Sequence, residues 1–372
     1  MAGDAQTFSW ALLPFHFWSA VYFLFGGVVG SFLNVCIYRM PRDLSLAHPP
    51  SHCPHCKYAI PFYLNVPLVT WVMLRGRCKN CGAPISVRYL LVELLTGLVF
   101  LACWLRFGRT GDDFAVTAML AFSFCMFLAG LIVATFIDME HYIIPDEITY
   151  GGAVLGAGLS LALPALHGVE THAAGLREGL IGAAVGAGLV YGVLRLGKLL
   201  FGRQQIQLPG ESCVVFTETA LHLPDQVIPY EELFYRRTDT ISFRARRLEL
   251  IDRSYWDVVV KLSPEALKIG AHEFTPESVV HLEALTSELT VPREAMGLGD
   301  VKFMAAIGAF LGWEGAVFAL LASSVLGAAG GMTALLLRHR ASSRIPYGPY
   351  LAAAAVLWLF GRHFFMGWLV AP

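Results

Sequence analysis

Two aspartates stand where long uncharged runs meet polar sequence. Asp138 follows 24 uncharged residues, 114–137, within FIDMEHYIIPDEIT, and Asp300 closes a Gly-Leu-Gly-Asp stretch that runs into the apolar segment VKFMAAIGAF. An ionisable group at a membrane boundary is costly unless it is used or paired. Two carboxylates a few ångströms apart do not both ionise easily. They share a proton and titrate as a unit, so one can activate water while the other protonates a carbonyl or a leaving amine. That is the chemistry of peptide hydrolysis at a membrane surface. Gly297 and Gly299 would permit a sharp turn and a close approach by a substrate backbone. Glu140, Asp146 and Glu147 compete for the same role on spacing alone. The plainer reading, ordinary interfacial charges flanking helices, stays open at this point.

Cysteines form a second candidate centre. Cys53 and Cys56 make CPHC, Cys78 and Cys81 make CKNC, and 21 residues separate the pairs. Two such knuckles can surround one Zn²⁺ with four thiolates, although the gap slightly exceeds the usual one. His52 and His55 lie beside the first knuckle and could substitute. The alternative is a pair of reduced or disulfide-linked units, and a loop facing a reducing compartment disfavours the disulfide. Cys36, Cys103, Cys125 and Cys213 are isolated. The first three lie in apolar runs and read as small apolar residues.

The elements that must carry these groups follow from composition. The 372 residues are 56% hydrophobic and only 15% charged, against roughly 25% charged in a soluble domain. Residues 201–290 hold 9 of the 27 Lys/Arg and 14 of the 28 Asp/Glu. The pattern is that of an all-α polytopic membrane protein with one soluble insert. Eight apolar runs are candidate spans: 8–38, 89–105, 114–137, 148–166, 179–194, 301–312, 315–337 and 349–370. The run 301–312 is short for a span of about 20 residues. The first run is too long for a cleavable signal and lacks a basic segment before it, so it reads as a retained span. Residues 39–88 carry seven Lys/Arg against one acid, Asp43, which places that loop in the cytoplasm. Alternation then puts the insert and Asp300 on the cytoplasmic face and both termini outside. The 36 glycines, many of them in spans, suit close helix packing in lipid. A net charge of −1 offers no nucleic-acid footprint.

Within the insert, CVVFTETALHL, ISFRARRLELI and YWDVVVKL have the alternation or β-rich composition of strands. The segment TPESVVHLEALTSEL has a Thr cap and helical spacing. A small α+β domain is expected there, without a catalytic constellation.

Taken in order, GSFLNVCIYRMPR, the double CxxC, NVPLVTWVMLRGRC, ISVRYLLVELLTG, IDMEHYIIPDEIT, EAMGLGDVKFMAAIGAFLGW and IPYGPYLAAAA resemble the type IV prepilin peptidase family. These are bifunctional leader peptidases and N-methyltransferases of pilus and type II secretion systems. The resemblance covers nearly all the chain except the insert. It implies a GxGD-type aspartyl intramembrane protease of the bacterial inner membrane, with Asp138 and Asp300 as the catalytic pair. The implied substrate is a type IV prepilin or pseudopilin, cleaved after a glycine and then N-methylated from S-adenosylmethionine. It further implies that the cysteine loop supports methylation. Glu93 and Asp43 are the candidates for methyl-transfer roles, and no glycine-rich dinucleotide fingerprint marks a cofactor site.

The expected organisation is therefore a first transmembrane helix at 1–38 and a cytoplasmic zinc-knuckle loop at 39–88. Helices with the first catalytic aspartate follow at 89–200, the soluble insert at 201–290, and the GxGD motif with the last helices at 291–372. The insert could dock an unknown cytoplasmic partner. Two rival classes stay in view: a prepilin-type peptidase without methylation, and a non-enzymatic transporter or scaffold whose two aspartates bind a cation.

Overall fold

The computed structural model describes the chain except residues 1–12, 109–112, 225, 231–232, 235–236, 238, 277–278, 280, 293–296, 337–345 and 371–372. The chain forms two compact units, one from Met1–Tyr191 with Leu298–Pro372, the other from Gly192–Gly297.

The first unit is helical. Its elements are α1 (Phe15–Arg39), the short α2 (Val69–Met73), α3 (Val87–Phe107), α4 (Phe114–His141), α5 (Asp146–Ala162), α6 (His172–Phe201), α7 (Leu298–Leu336) and α8 (Gly348–Val370). Ser86 and Asp113 start α3 and α4 by accepting backbone N–H groups on their side chains, the usual remedy for unpaired first-turn donors. Five helices among the described residues are long and apolar enough to cross a membrane: Phe15–Arg42, Val87–Phe107, Phe114–His141, His172–Leu199 and Leu298–Thr333. These five alone do not confirm the expected eight spans. The run 148–166 falls on α5, which has only 17 residues, and the runs 301–312 and 315–337 fall on the single element α7.

That element is broken. Gly312 has φ 73° and ψ 179°, a left-handed backbone that favours glycine. Before the break, α7 lies along α5 and α6, with Gly156 against Ala309 and Gly186 against Met304. After it, the chain follows α8, with Gly315 against Trp358 and Gly330 against Tyr350. Gly299 lies near Ile144, just after α4, and Gly348 touches Asp138 at the end of α4. Gly299 and Gly330 therefore sit at the same end of the bundle, and α7 doubles back at Gly312. Helices α6 and α7 cross closely at Gly308, where an added Cβ would stand 2.0 Å from the carbonyl oxygen of Gly182. Aromatic stacking of Tyr22 on Trp104 and of Phe127 on Phe310 fills the bundle around α4.

The second unit is a single antiparallel eight-stranded sheet ordered β3-β2-β1-β8-β4-β5-β6-β7. Its strands are β1 (Arg203–Phe216), β2 (Ala220–His222), β3 (Val227–Pro229), β4 (Ile241–Leu250), β5 (Ser254–Leu262), β6 (Leu267–Ile269), β7 (His272–Phe274) and β8 (Leu282–Pro292). The expected strands lie on β1–β2, β4 and β5. The expected helix over 275–289 is wrong at its C-terminal part, which is β8. Leu282, Ala284 and Thr286 alternate into the core and Leu289 and Val291 continue the series. That period of two outweighs the helical spacing of Leu282, Leu285 and Leu289, because β8 pairs with both β1 and β4. The insert is consequently a β-sheet domain rather than α+β, and the chain as a whole is not all-α.

Candidate active site

Asp138 occupies the last turn of α4 and is only 5% exposed. Its Oδ2 accepts the backbone N–H of Gly348, the first residue of α8, at 2.8 Å. The carboxylate thus caps a helix N-terminus, where the unpaired donors and the helix dipole favour negative charge. A Cβ on residue 348 would lie 2.8 Å from that oxygen, so the contact requires glycine. This partner was not evident from spacing; the Tyr-Gly-Pro-Tyr stretch at 347–350 was its only signal.

Asp300 lies in the first turn of α7 and is half-buried. The start of α7 is fixed against the segment that follows Asp138. Gly299 faces Ile144, and Lys302 pairs with Asp146 at 2.7 Å. Both aspartates are therefore carried to one end of the bundle by elements that touch. Gly299 lies inside the first turn of α7, and Gly297 is exposed just before it. The competing acids have other surroundings. Glu140 is ion-paired with Arg88, Asp146 is the partner of Lys302, and Glu147 is exposed.

The four cysteines of the 39–88 loop converge. All four Sγ atoms lie within 4.8 Å of one another, with Cys53–Cys81 at 3.8 Å and Cys56–Cys78 at 3.9 Å. A tetrahedron of Zn–S bonds of ~2.3 Å has S–S edges of about 3.8 Å, so the donor set fits one such ion. Two matched turns make it. Lys57 N–H donates to Cys53 O and Gly82 N–H to Cys78 O, each at 2.9 Å, and Lys57 and Gly82 both adopt positive φ. The Cys56 thiol is pushed down to about 6, first by the Asn80 side-chain amide and then by the Tyr58 N–H, whereas the Cys81 thiol is pushed up to about 11.

Glu93 is buried on α3, 8% exposed, and its Oε2 accepts the backbone N–H of Leu68 at 2.7 Å. Leu68 has φ 62° and immediately precedes α2. Gly30 of α1 packs directly on Glu93, where an added Cβ would stand 2.7 Å from its Cα. The carboxylate therefore ties the loop leading to the second knuckle onto α1 and α3. Asp43, by contrast, is exposed in the turn after α1, and its carboxylate makes no hydrogen bond or ion pair among the described residues.

The arrangement of buried aspartate, facing GxGD helix and four-cysteine loop can be set against known proteins. The model of the Bacterial Peptidase A24 N-terminal domain matches residues 24–107, and that of the Type IV leader peptidase family matches residues 125–204 and 278–332. The chain is 30% identical to the prepilin leader peptidase/N-methyltransferase of Aeromonas hydrophila over 375 residues, covering 93% of this chain and 92% of that protein. The chain belongs to the type IV leader peptidase family. A prepilin leader peptidase/N-methyltransferase of Myxococcus xanthus is 47% identical over 164 residues, 44% of each chain. A type 4 prepilin-like proteins leader peptide-processing enzyme of Escherichia coli is 42% identical over 155 residues, 37% of this chain and 54% of that one. No solved structure matches the chain. Within this leader peptidase the two matched family segments flank residues 205–277, most of the β-sheet, while Asp138, Asp300 and all four clustered cysteines fall inside matched segments.

Proposed function

We propose that this enzyme removes the leader peptide from type IV prepilins or pseudopilins and N-methylates the new N-terminus. The observation that carries the peptidase assignment is Asp138, a buried carboxylate on the N-terminus of α8, at the bundle end where Asp300 opens α7. In this reading Asp138 and Asp300 share one proton. The ionised member takes a proton from water as its oxygen attacks the scissile carbonyl carbon, and the protonated member gives its proton to the carbonyl oxygen. Collapse of the tetrahedral species breaks the C–N bond, the leaving amine takes up the proton first drawn from water, and a hydroxyl of the gem-diol returns a proton to the other aspartate as the carboxylic acid forms.

The four cysteines would hold one structural Zn²⁺, which would fix the fold of a loop with few buried apolar residues. S-adenosylmethionine would supply the methyl group. Glu93 acts here as a positioning residue that seats the Leu68 turn, and Asp43 stays the second candidate for a methyl-transfer role. The reactive end would face the cytoplasm of a bacterial inner membrane, on the Lys/Arg distribution of the 39–88 loop.

The test is to incubate purified protein with a prepilin and read product masses. Cleavage with a methyl increment supports the full proposal. Cleavage alone would leave a peptidase without methylation, and no change would leave the transporter or scaffold reading.

A further inference from the structure

The β-sheet insert is built twice from the same plan. Exchanging β1 with β5, β2 with β6, β3 with β7 and β4 with β8 turns the strand order into its own reverse, as a two-fold axis between β8 and β4 demands. The registers obey the same exchange. Phe216 pairs with Leu221 in the first half and Leu262 with Leu267 in the second, and Leu221 pairs with Ile228 as Leu267 does with Phe274. Across the axis, Phe216 pairs with Leu282 and Leu262 with Ile241. The turns agree atom for atom. The Thr217 hydroxyl donates to Ala220 O at 3.0 Å and accepts from Ala220 N–H at 3.2 Å; the Ser263 hydroxyl does the same with Ala266 at 3.0 and 3.1 Å. Ile241, Phe243, Ala245 and Leu248 of β4 are buried in the same rhythm as Leu282, Ala284, Thr286 and Leu289 of β8.

The two copies agree where the fold needs them and differ around one cleft. A cleft of about 650 Å³ opens beside the axis, lined by both members of the equivalent pairs Phe216/Leu262, Glu218/Pro264 and Tyr230/Pro276, within the range of ligand sites. Its aromatic residues come from the first copy. Phe216 stacks on Phe243 at 5.2 Å and 9°, and Tyr230 lies against Phe234 at 5.5 Å. Their counterparts in the second copy, Leu262, Ala284 and Pro276, are not aromatic. The cleft is open to solvent on one side, and its floor, Phe216, Phe243, Leu262 and Leu282, belongs to the buried core of the insert. The polar lining is sparse. The hydroxyls of Thr217 and Ser263 are used in their turns, whereas Glu218 is exposed and its carboxylate has no ion pair or hydrogen bond among the described residues. An aromatic wall with one carboxylate at its rim complements a positive charge on an apolar body.

We infer that the insert is a tandem duplication of one β-unit whose copies have diverged to form a binding cleft for an organic cation with an apolar body. The inference stands apart from the peptidase reading and uses none of its residues.

The test uses the full chain in lipid nanodiscs and follows the methyl resonances of Leu262 and Val279, which line the cleft, during titration with benzylammonium, benzyl alcohol or benzoate. Benzylammonium should shift these resonances saturably and more tightly than the other two. Glu218→Gln should weaken benzylammonium by on the order of threefold to tenfold and leave benzyl alcohol unchanged, which shows that the cleft is still built. Glu273→Gln, an exposed acid on β7 away from the cleft, should change nothing. The inference is overturned if benzylammonium causes no saturable shift, if the three probes bind alike, or if the two Glu→Gln variants weaken benzylammonium equally.

Discussion

Asp138 Oδ2 and the backbone N–H of Gly348 are 2.8 Å apart, joining the last turn of α4 to the first residue of α8. The hydrogen bond fixes the carboxylate by a backbone group that only proline at 348 would remove, but the room for it depends on the absence of a Cβ at 348. Gly348→Ala should therefore push the carboxylate aside. Displacements of about 1 Å at a reacting group cost on the order of 10²-fold, and a fall of that order is expected in kcat/KM for prepilin cleavage. Methylation of a pre-cleaved substrate by the same variant should persist, because Gly348 does not touch the cysteine loop. Wild-type cleavage rates in Gly348→Ala would show that the position of Asp138 is not critical.

Glu93 offers a way to tell positioning from chemistry. Glu93→Ala leaves the Leu68 N–H without its acceptor, at a cost of about 1–3 kcal/mol for an unsatisfied buried donor. Its product should show faster hydrogen exchange across residues 66–76 and reduced methylation. Glu93→Gln still presents a carbonyl oxygen to Leu68 and should restore both. Loss of methylation in Glu93→Gln with normal exchange protection would instead make the carboxylate a chemical participant.

For the cysteine cluster, elemental analysis of reduced, active protein should find one zinc per chain. Cys78→Ser should lower that content and raise hydrogen exchange in both knuckles, 51–60 and 76–85, because one ion would hold both turns. Protein that is active, reduced and free of metal would contradict the assignment.

Much of this architecture could be read from residue order, and the exceptions have physical causes. CPHC and CKNC already carry their geometry, since each knuckle is a local turn and only one long-range approach is needed to bring them together. The apolar runs likewise predict helices, because helix formation is local. The break in α7 was legible as the gap between the runs 301–312 and 315–337, and Gly312, with its φ of 73°, separates the two limbs there. Residues 282–291 satisfy a helical and a strand pattern at once, and the outcome depends on β1 and β4, far away in sequence. The Asp138–Gly348 contact spans 210 positions and uses a backbone donor, which leaves no residue-type signature. The duplication of the insert is faint in its residues because it is preserved as turn chemistry and burial rhythm more than as identity.

Surface acids near the site should prove dispensable. Asp146 is exposed and its partner Lys302 is partly so, and such pairs contribute little. Asp146→Asn and Glu140→Gln should keep cleavage within about threefold of wild type. A loss of two orders of magnitude in either, in folded protein, would move the catalytic role to that residue.

The account turns on Asp138 and Asp300 acting as one unit. The direct measurement is the single-turnover cleavage rate of a prepilin by Asp138→Asn, Asp300→Asn and the double variant, each shown to retain wild-type helicity and zinc content. A positioned acid or base contributes roughly 10²–10⁴-fold, and members of a catalytic unit are strongly non-additive. Each single variant should lose cleavage by at least that factor and the double variant should be no slower than either, while all three still methylate pre-cleaved substrate. Near-normal cleavage by either single variant, or losses that multiply in the double variant, would contradict a shared-proton pair.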